Sequence, residues 1–83
     1  MTSQDAAELR GRIARNIETA RMEHGFTQRQ IAEQVGAAPD QVAKWCRGTH
    51  TPGFEYMTKL AAVLTDGDVA WFYRAHPGED VAA

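Results

Sequence analysis

Between Phe26 and Gly48 the chain reads F-T-Q-R-Q-I-A-E-Q-V-G-A-A-P-D-Q-V-A-K-W-C-R-G, two short helically periodic stretches with a glycine between them. Thr27 is of a type that caps helix starts, and Gln30, three positions on, is placed to reach back and complete a capping box. The pattern predicts a helix over 28–35 with Ile31, Ala32 and Val35 on one face. Gly36 can take the positive φ that ends this helix. Pro39, whose φ is already helical, suits the first turn of a second helix over 39–47. Val42, Trp45 and Cys46 form its inner face. Upstream, Leu9, Ile13, Ile17 and Ala20 recur at helical spacing. They predict a helix over about 5–24, opened by Asp5 with Glu8 and closed by His24 and Gly25. Downstream of a T-H-T-P-G loop, Met57, Leu60, Ala61 and Leu64 mark a helix over 54–64. Thr65-Asp66-Gly67 reads as a turn, followed by a short fifth helix over about 68–74. The closing A-H-P-G-E-D-V-A-A reads as a frayed tail. No strand alternation, internal repeat or low-complexity tract interrupts this pattern. The expected architecture is an all-α five-helix bundle, a single domain over 1–75 with a flexible tail over 76–83.

Two packed helices joined by about four residues make a helix-turn-helix unit, and the second helix is the one that enters a DNA groove in such units. The packing leaves Asp40, Gln41, Ala43, Lys44 and Arg47 pointing outward. The run resembles the Cro/repressor-type (xenobiotic-response-element) helix-turn-helix family. The residues that carry the likeness are Phe26-Thr27-Gln28, Ile31-Ala32, Val35-Gly36, Val42, Trp45, Arg47-Gly48, Pro52 and Lys59-Leu60-Ala61, in register over roughly residues 9 to 73.

That resemblance implies sequence-specific binding of double-stranded DNA, with Pro39, Asp40, Gln41 and Lys44 at the base-reading positions. Pro39 departs from the family, where glutamine or arginine is common, because proline has no side-chain donor. Readout then shifts to its neighbours or to contact with a thymine methyl. Gln41 suits adenine, Lys44 the acceptors of guanine, and Asp40 the amino group of cytosine, each worth roughly 1–3 kcal/mol of discrimination. Asp40 has a second reading, as a first-turn carboxylate that satisfies the helix dipole. By the same resemblance Gln28 holds a phosphate at the start of its helix, and the loop after Gly48 touches the backbone. Arg29, Arg47, Thr49, His50 and Thr51 flank those contacts, and His50 is placed to reach a base edge. A further departure concerns Arg21: relatives pair it with a glutamate just after the tryptophan, where this chain has Cys46. Arg21 therefore needs another partner or joins the phosphate-binding face.

Composition limits the alternatives. At 83 residues and 43% hydrophobic content the chain suffices for one small core. No apolar run is long enough to cross a membrane and the first residues are polar and acidic, so a cytoplasmic protein is expected. The single cysteine, Cys46, sits beside Trp45 on an apolar face and reads as a small hydrophobe. His24, His50 and His76 are scattered, and no phosphate loop, nucleophile elbow or carboxylate pairing is present. No enzyme activity, metal, cofactor or small-molecule ligand is expected. The net charge of −2 gives no general attraction to phosphate. The acid is unevenly placed, however. Residues 1–50 carry seven Lys or Arg against six Asp or Glu, and residues 51–83 carry two against five. Arg29, Lys44 and Arg47 can therefore form a thin local basic patch, with a shallow salt dependence.

Three consecutive aromatics, Trp71, Phe72 and Tyr73, cannot all face one side of a helix. One reading makes them a homodimer contact, which sets two recognition helices about 34 Å apart on a palindromic site. The other has Trp71 and Phe72 cap the core while the Tyr73 hydroxyl stays in water. The functional expectation is a small Cro-like repressor of the phage or mobile-element kind, repression being inferred from the family. The alternative is an antitoxin or antirepressor that uses the same fold to grip a protein, which the acidic C-terminal third would suit.

Overall fold

The computed structural model describes residues 3–76, with side chains from residue 6 onward. Four α-helices follow one another: α1 (Ser3–Glu23), α2 (Gln28–Val35), α3 (Pro39–Arg47) and α4 (Phe54–Leu64). The expected fifth helix is instead a 3-10 turn over Val69–Tyr73. Its shortness explains the difference. Five residues bounded by Asp68 and Arg74, neither of which is helical, leave little room for i→i+4 bonds. The carbonyls of Phe72 and Arg74 are instead taken by the Asn16 amide, at 2.7 and 2.9 Å. Among the described residues there is no strand.

Local signals set the middle of the chain. The Thr27 hydroxyl accepts from the Gln30 amide at 3.0 Å and the Gln30 side chain accepts from the Thr27 N–H at 2.8 Å, the reciprocal pair expected from the sequence. Gly36 (φ 74°) and Gly48 (φ 79°) end α2 and α3 in the left-handed region, where a Cβ would be strained. Ala38 offers no side-chain cap for α3, but Pro39 at the first helical position has no N–H to satisfy. At the N-terminus α1 begins at Ser3, so Asp5 lies inside the helix and is not its cap.

α2 packs on α3 and α4, and α1 lies across α3 and the 3-10 turn. The core comprises Ile13, Ile17 and Ala20 of α1, Ile31, Ala32 and Val35 of α2, Val42 and Trp45 of α3, Met57, Leu60, Ala61 and Leu64 of α4, and Phe72. Leu9 and Cys46, expected inside, are half-buried at its edge. One polar residue, Asn16, is buried among these. His24 closes the far end, its Nε2 lying 2.8 Å from the Leu64 carbonyl. His76 lies against Trp71 with ring centroids 4.1 Å apart, and of the expected tail over 76–83, residues 77–83 lie outside the described residues.

Candidate nucleic-acid interface

Helix α3 divides cleanly. Val42 and Trp45 are buried, with exposures of 0% and 2%, so the opposite face must point outward. Pro39, Asp40, Gln41 and Arg47 are exposed and Lys44 is half-buried. Of the four residues expected at base-reading positions, Asp40 and Lys44 share the side of α3 away from the core, while Pro39 and Gln41 lie toward its two edges. Its nine residues allow two and a half turns, and the two buried side chains fix its rotation about its own axis.

The flanks carry the other expected contacts. The end of α3 is tightly turned: the Lys44 carbonyl accepts from the Thr49 N–H at 3.0 Å and from the His50 N–H at 3.4 Å. These two backbone donors are used internally, so Thr49 and His50 can offer only their exposed side chains to a ligand. Thr51 is also exposed, while Pro52 is buried and pins the loop to the body of the domain. At the other flank, Thr27 satisfies the Gln30 N–H and the Ile31 N–H bonds to the Thr27 carbonyl. The N–H groups of Gln28 and Arg29 have no such partner and face outward at the positive end of α2. The Arg29 side chain is exposed beside them.

Charge on this face is unspent. Among the described residues the ion pairs are Arg21–Glu18 and Arg74–Asp68, each at 2.7 Å, which leaves Arg29, Lys44 and Arg47 outside any pair. Away from the face, Arg74 donates to Asp68 and holds its carboxyl below the usual range. Arg12 donates to the Tyr73 carbonyl at 3.4 Å. Net acidity is thus compatible with a small cationic surface centred on α3.

Arg21 finds its partner on its own helix. Its guanidinium grips both oxygens of Glu18, one turn back on α1, at 2.7 and 3.1 Å, and donates to the Phe26 carbonyl at 2.6 Å. It therefore braces the α1–α2 junction and does not join the phosphate-facing group. The Arg21 hydrogen bond holds the Glu18 carboxyl below its ordinary range, with smaller contributions from Cys46 and Gln28. Burial, and then the neighbouring Glu18 carboxylate, push the Cys46 thiol up to about 12, so it stays protonated. The Gln28 side chain is half-buried. The i,i+3 spacing of Glu18 and Arg21 was visible in the sequence as a helical ion pair and would have identified the partner.

This junction has a pH signature. A carboxyl whose folded pKa is depressed contributes stability that is fully present above its unfolded value, near 4.5, and is lost as pH falls through the lower folded value. Glu18→Gln is therefore expected to lower stability by about 1–2 kcal/mol at neutral pH. The gap to wild type should close at pH values below 4.5, which urea titrations at two pH values will measure. An equal gap at both would refute the ion-pair role.

The dimer candidates do not stay together. Phe72 is fully buried and has no surface to offer a second chain, Trp71 is half-buried, and Tyr73 is 40% exposed. Trp71 is spoken for on one side by Phe72, edge-on at 5.3 Å, and on the other by His76. Among the described residues no helix is long and apolar enough to cross a membrane, and no group of three metal-ligating side chains gathers.

Residues 17–72 match the helix-turn-helix family model, a span that runs from the second half of α1 into the 3-10 turn. No curated protein and no solved structure matches the chain.

Proposed function

Because the chain belongs to the Cro/repressor-type helix-turn-helix family of DNA-binding transcription regulators, we propose that it is a small repressor that inserts α3 into the major groove of a palindromic operator. The observation that carries this reading is that Pro39, Asp40 and Gln41 are exposed and Lys44 half-buried beside them, on a helix whose Val42 and Trp45 are buried in the core. In this reading Gln41 pairs with adenine and Lys44 with guanine, while Pro39 offers only apolar contact. The backbone N–H groups of Gln28 and Arg29 receive one phosphate at the start of α2. Arg29, Arg47, Thr49, His50 and Thr51 hold the neighbouring phosphates and fix the register. Two chains joined through Tyr73 and the open edge of Trp71 reach both half-sites, which raises the effective concentration for the second. Repression follows when such an operator overlaps a promoter.

Selection of sites from random duplex DNA tests this directly and should return inverted repeats with half-sites one helical turn apart. Lys44→Ala and Gln41→Ala are each expected to relax preference at one base position per half-site, at a cost of about 1–3 kcal/mol. Arg47→Ala should instead weaken all sequences alike and reduce the salt slope by about 1. Equal losses on selected and random DNA in all three variants would sink the assignment of α3 as reader. Failure to select any duplex would turn attention to the protein-binding alternative.

A further inference from the structure

Arg10 and Arg15 of α1 are exposed, and among the described residues neither has an ion-pair partner. Both precede residue 17, where the family match begins, so no family contact accounts for them. The course of α1 places them. Near its C-terminal end Arg21 donates to the Phe26 carbonyl, at the entry to α2. Further back the helix touches the end of α3: a Cβ built on Gly48 would lie 3.6 Å from that of Ala14. Arg10, one turn before Ala14, shares that side of α1 and so lies just past the end of α3, beside the loop 49–53. Ala14 is buried there and Arg10 is exposed, because the body of the domain no longer covers the helix. Arg15 is turned toward the same place by Gly11. A glycine inside a helix is destabilising relative to alanine, and the side that this one leaves open is where the Arg15 guanidinium rests, with Nη1 3.6 Å from the position a Cβ would take. Gly11, three residues before Ala14, is also on the side toward Gly48.

We propose that Arg10 and Arg15 join Arg47 in a phosphate clamp that holds the DNA backbone where the chain leaves α3. This rests on the reading of α3 as the recognition helix. Charge complementarity names the occupant. Arg47 directly precedes Gly48, so guanidinium groups from two elements gather around one helix contact, where they repel one another until an anion joins them. The chain supplies no such anion. Glu18, one turn after Ala14, is already held by Arg21 at 2.7 and 3.1 Å. Glu8 is exposed, but it is two residues from Arg10 and thus on another side of the helix, and it lies about 10 Å along the axis from Arg15. Guanidinium forks fit phosphate oxygens, and a duplex seated on α3 presents a row of them beside Arg47.

Phosphate contacts have their own signature, the number of counterions released. The double variant Arg10→Gln with Arg15→Gln is expected to lower the salt slope by about 2 per bound chain, equally on the selected site and on random duplex. Its affinity gap to wild type should shrink about tenfold between roughly 50 and 200 mM salt, and its base preferences should not change. The thermal midpoint should equal that of wild type, since both side chains are exposed. Arg10→Lys with Arg15→Lys, which keeps both charges, should keep the slope. A wild-type slope in the glutamine pair overturns the proposal. So does a loss that is the same at every salt concentration, or one that tracks a lower thermal midpoint, since either would make these arginines supports of α1. A wild-type chain that binds no duplex overturns the parent reading and the clamp with it. A slope that falls in Arg47→Ala and not in the glutamine pair overturns the clamp alone.

Discussion

Trp45→Ala is expected to remove about 3–5 kcal/mol of stability, a large share of the 5–15 kcal/mol typical of small domains. Helix α3 is held by two fully buried side chains, Val42 and Trp45, and Trp45 is much the larger. Its ring meets Tyr56 at 5.1 Å and 50°, a tilted aromatic pair that joins α3 to the start of α4. Truncation leaves a cavity between these elements that a nine-residue helix ending in a glycine cap cannot collapse around without losing its orientation. Denaturant unfolding followed by the helical signal measures the loss. DNA affinity should fall with it at 37 °C and return at a lower temperature where the variant is folded, which separates a packing role from a contact role. A variant with an unchanged unfolding midpoint would show that Trp45 does not anchor α3.

How much of this was legible in the sequence depended on the range of the interaction. The bounds of α2 and α3 follow from signals within four residues of each end, the Thr27–Gln30 box, Gly36, Pro39 and Gly48, and those of α4 from the T-H-T-P-G loop before it and the Thr65-Asp66-Gly67 turn after it. Their inner faces follow from the 3.6-residue period, which selected Ile31, Ala32, Val35, Val42, Trp45, Met57, Leu60, Ala61 and Leu64, all buried. The outward row of α3 is the complement of that face, so the candidate reading surface was legible for the same reason. Long-range features were not. The 3-10 turn carries no period of its own, and which of Trp71, Phe72 and Tyr73 turns inward is decided by where α1 lies across it. That choice put Phe72 in the core, left Trp71 half-buried and left Tyr73 exposed.

Asn16 is the clearest case, and it carries the second large effect. In the sequence it is a polar interruption beside Ile13, Ile17 and Ala20, with nothing nearby to suggest a partner. In the structure it is fully buried, and its amide donates across 56 residues to the Phe72 carbonyl at 2.7 Å and across 58 to that of Arg74 at 2.9 Å, with the Trp71 carbonyl at 3.5 Å. Three carbonyls around one atom require a donor there, so the nitrogen end of the side chain faces the turn and the oxygen, Oδ1, is buried without a partner. Asn16→Asp keeps the volume and replaces that donor with an acceptor. The new carboxylate faces carbonyl oxygens in a dry site, and an uncompensated buried charge costs about 3–5 kcal/mol. Burial and the carbonyls raise its folded pKa above the unfolded value of about 3.9. A raised acid favours the folded state only while protonated, so the penalty should be small near pH 3 and grow as pH climbs through the folded value to neutrality. Asn16→Leu, which has no charge to titrate, should lose about 1–3 kcal/mol from the orphaned carbonyls at either pH. Thermal unfolding of both variants at pH 3.5 and pH 7 distinguishes the two behaviours. A pH-independent loss in Asn16→Asp equal to that in Asn16→Leu would mean that the turn is held by the Phe72 ring alone, and that the Asn16 amide contributes no more than its bulk.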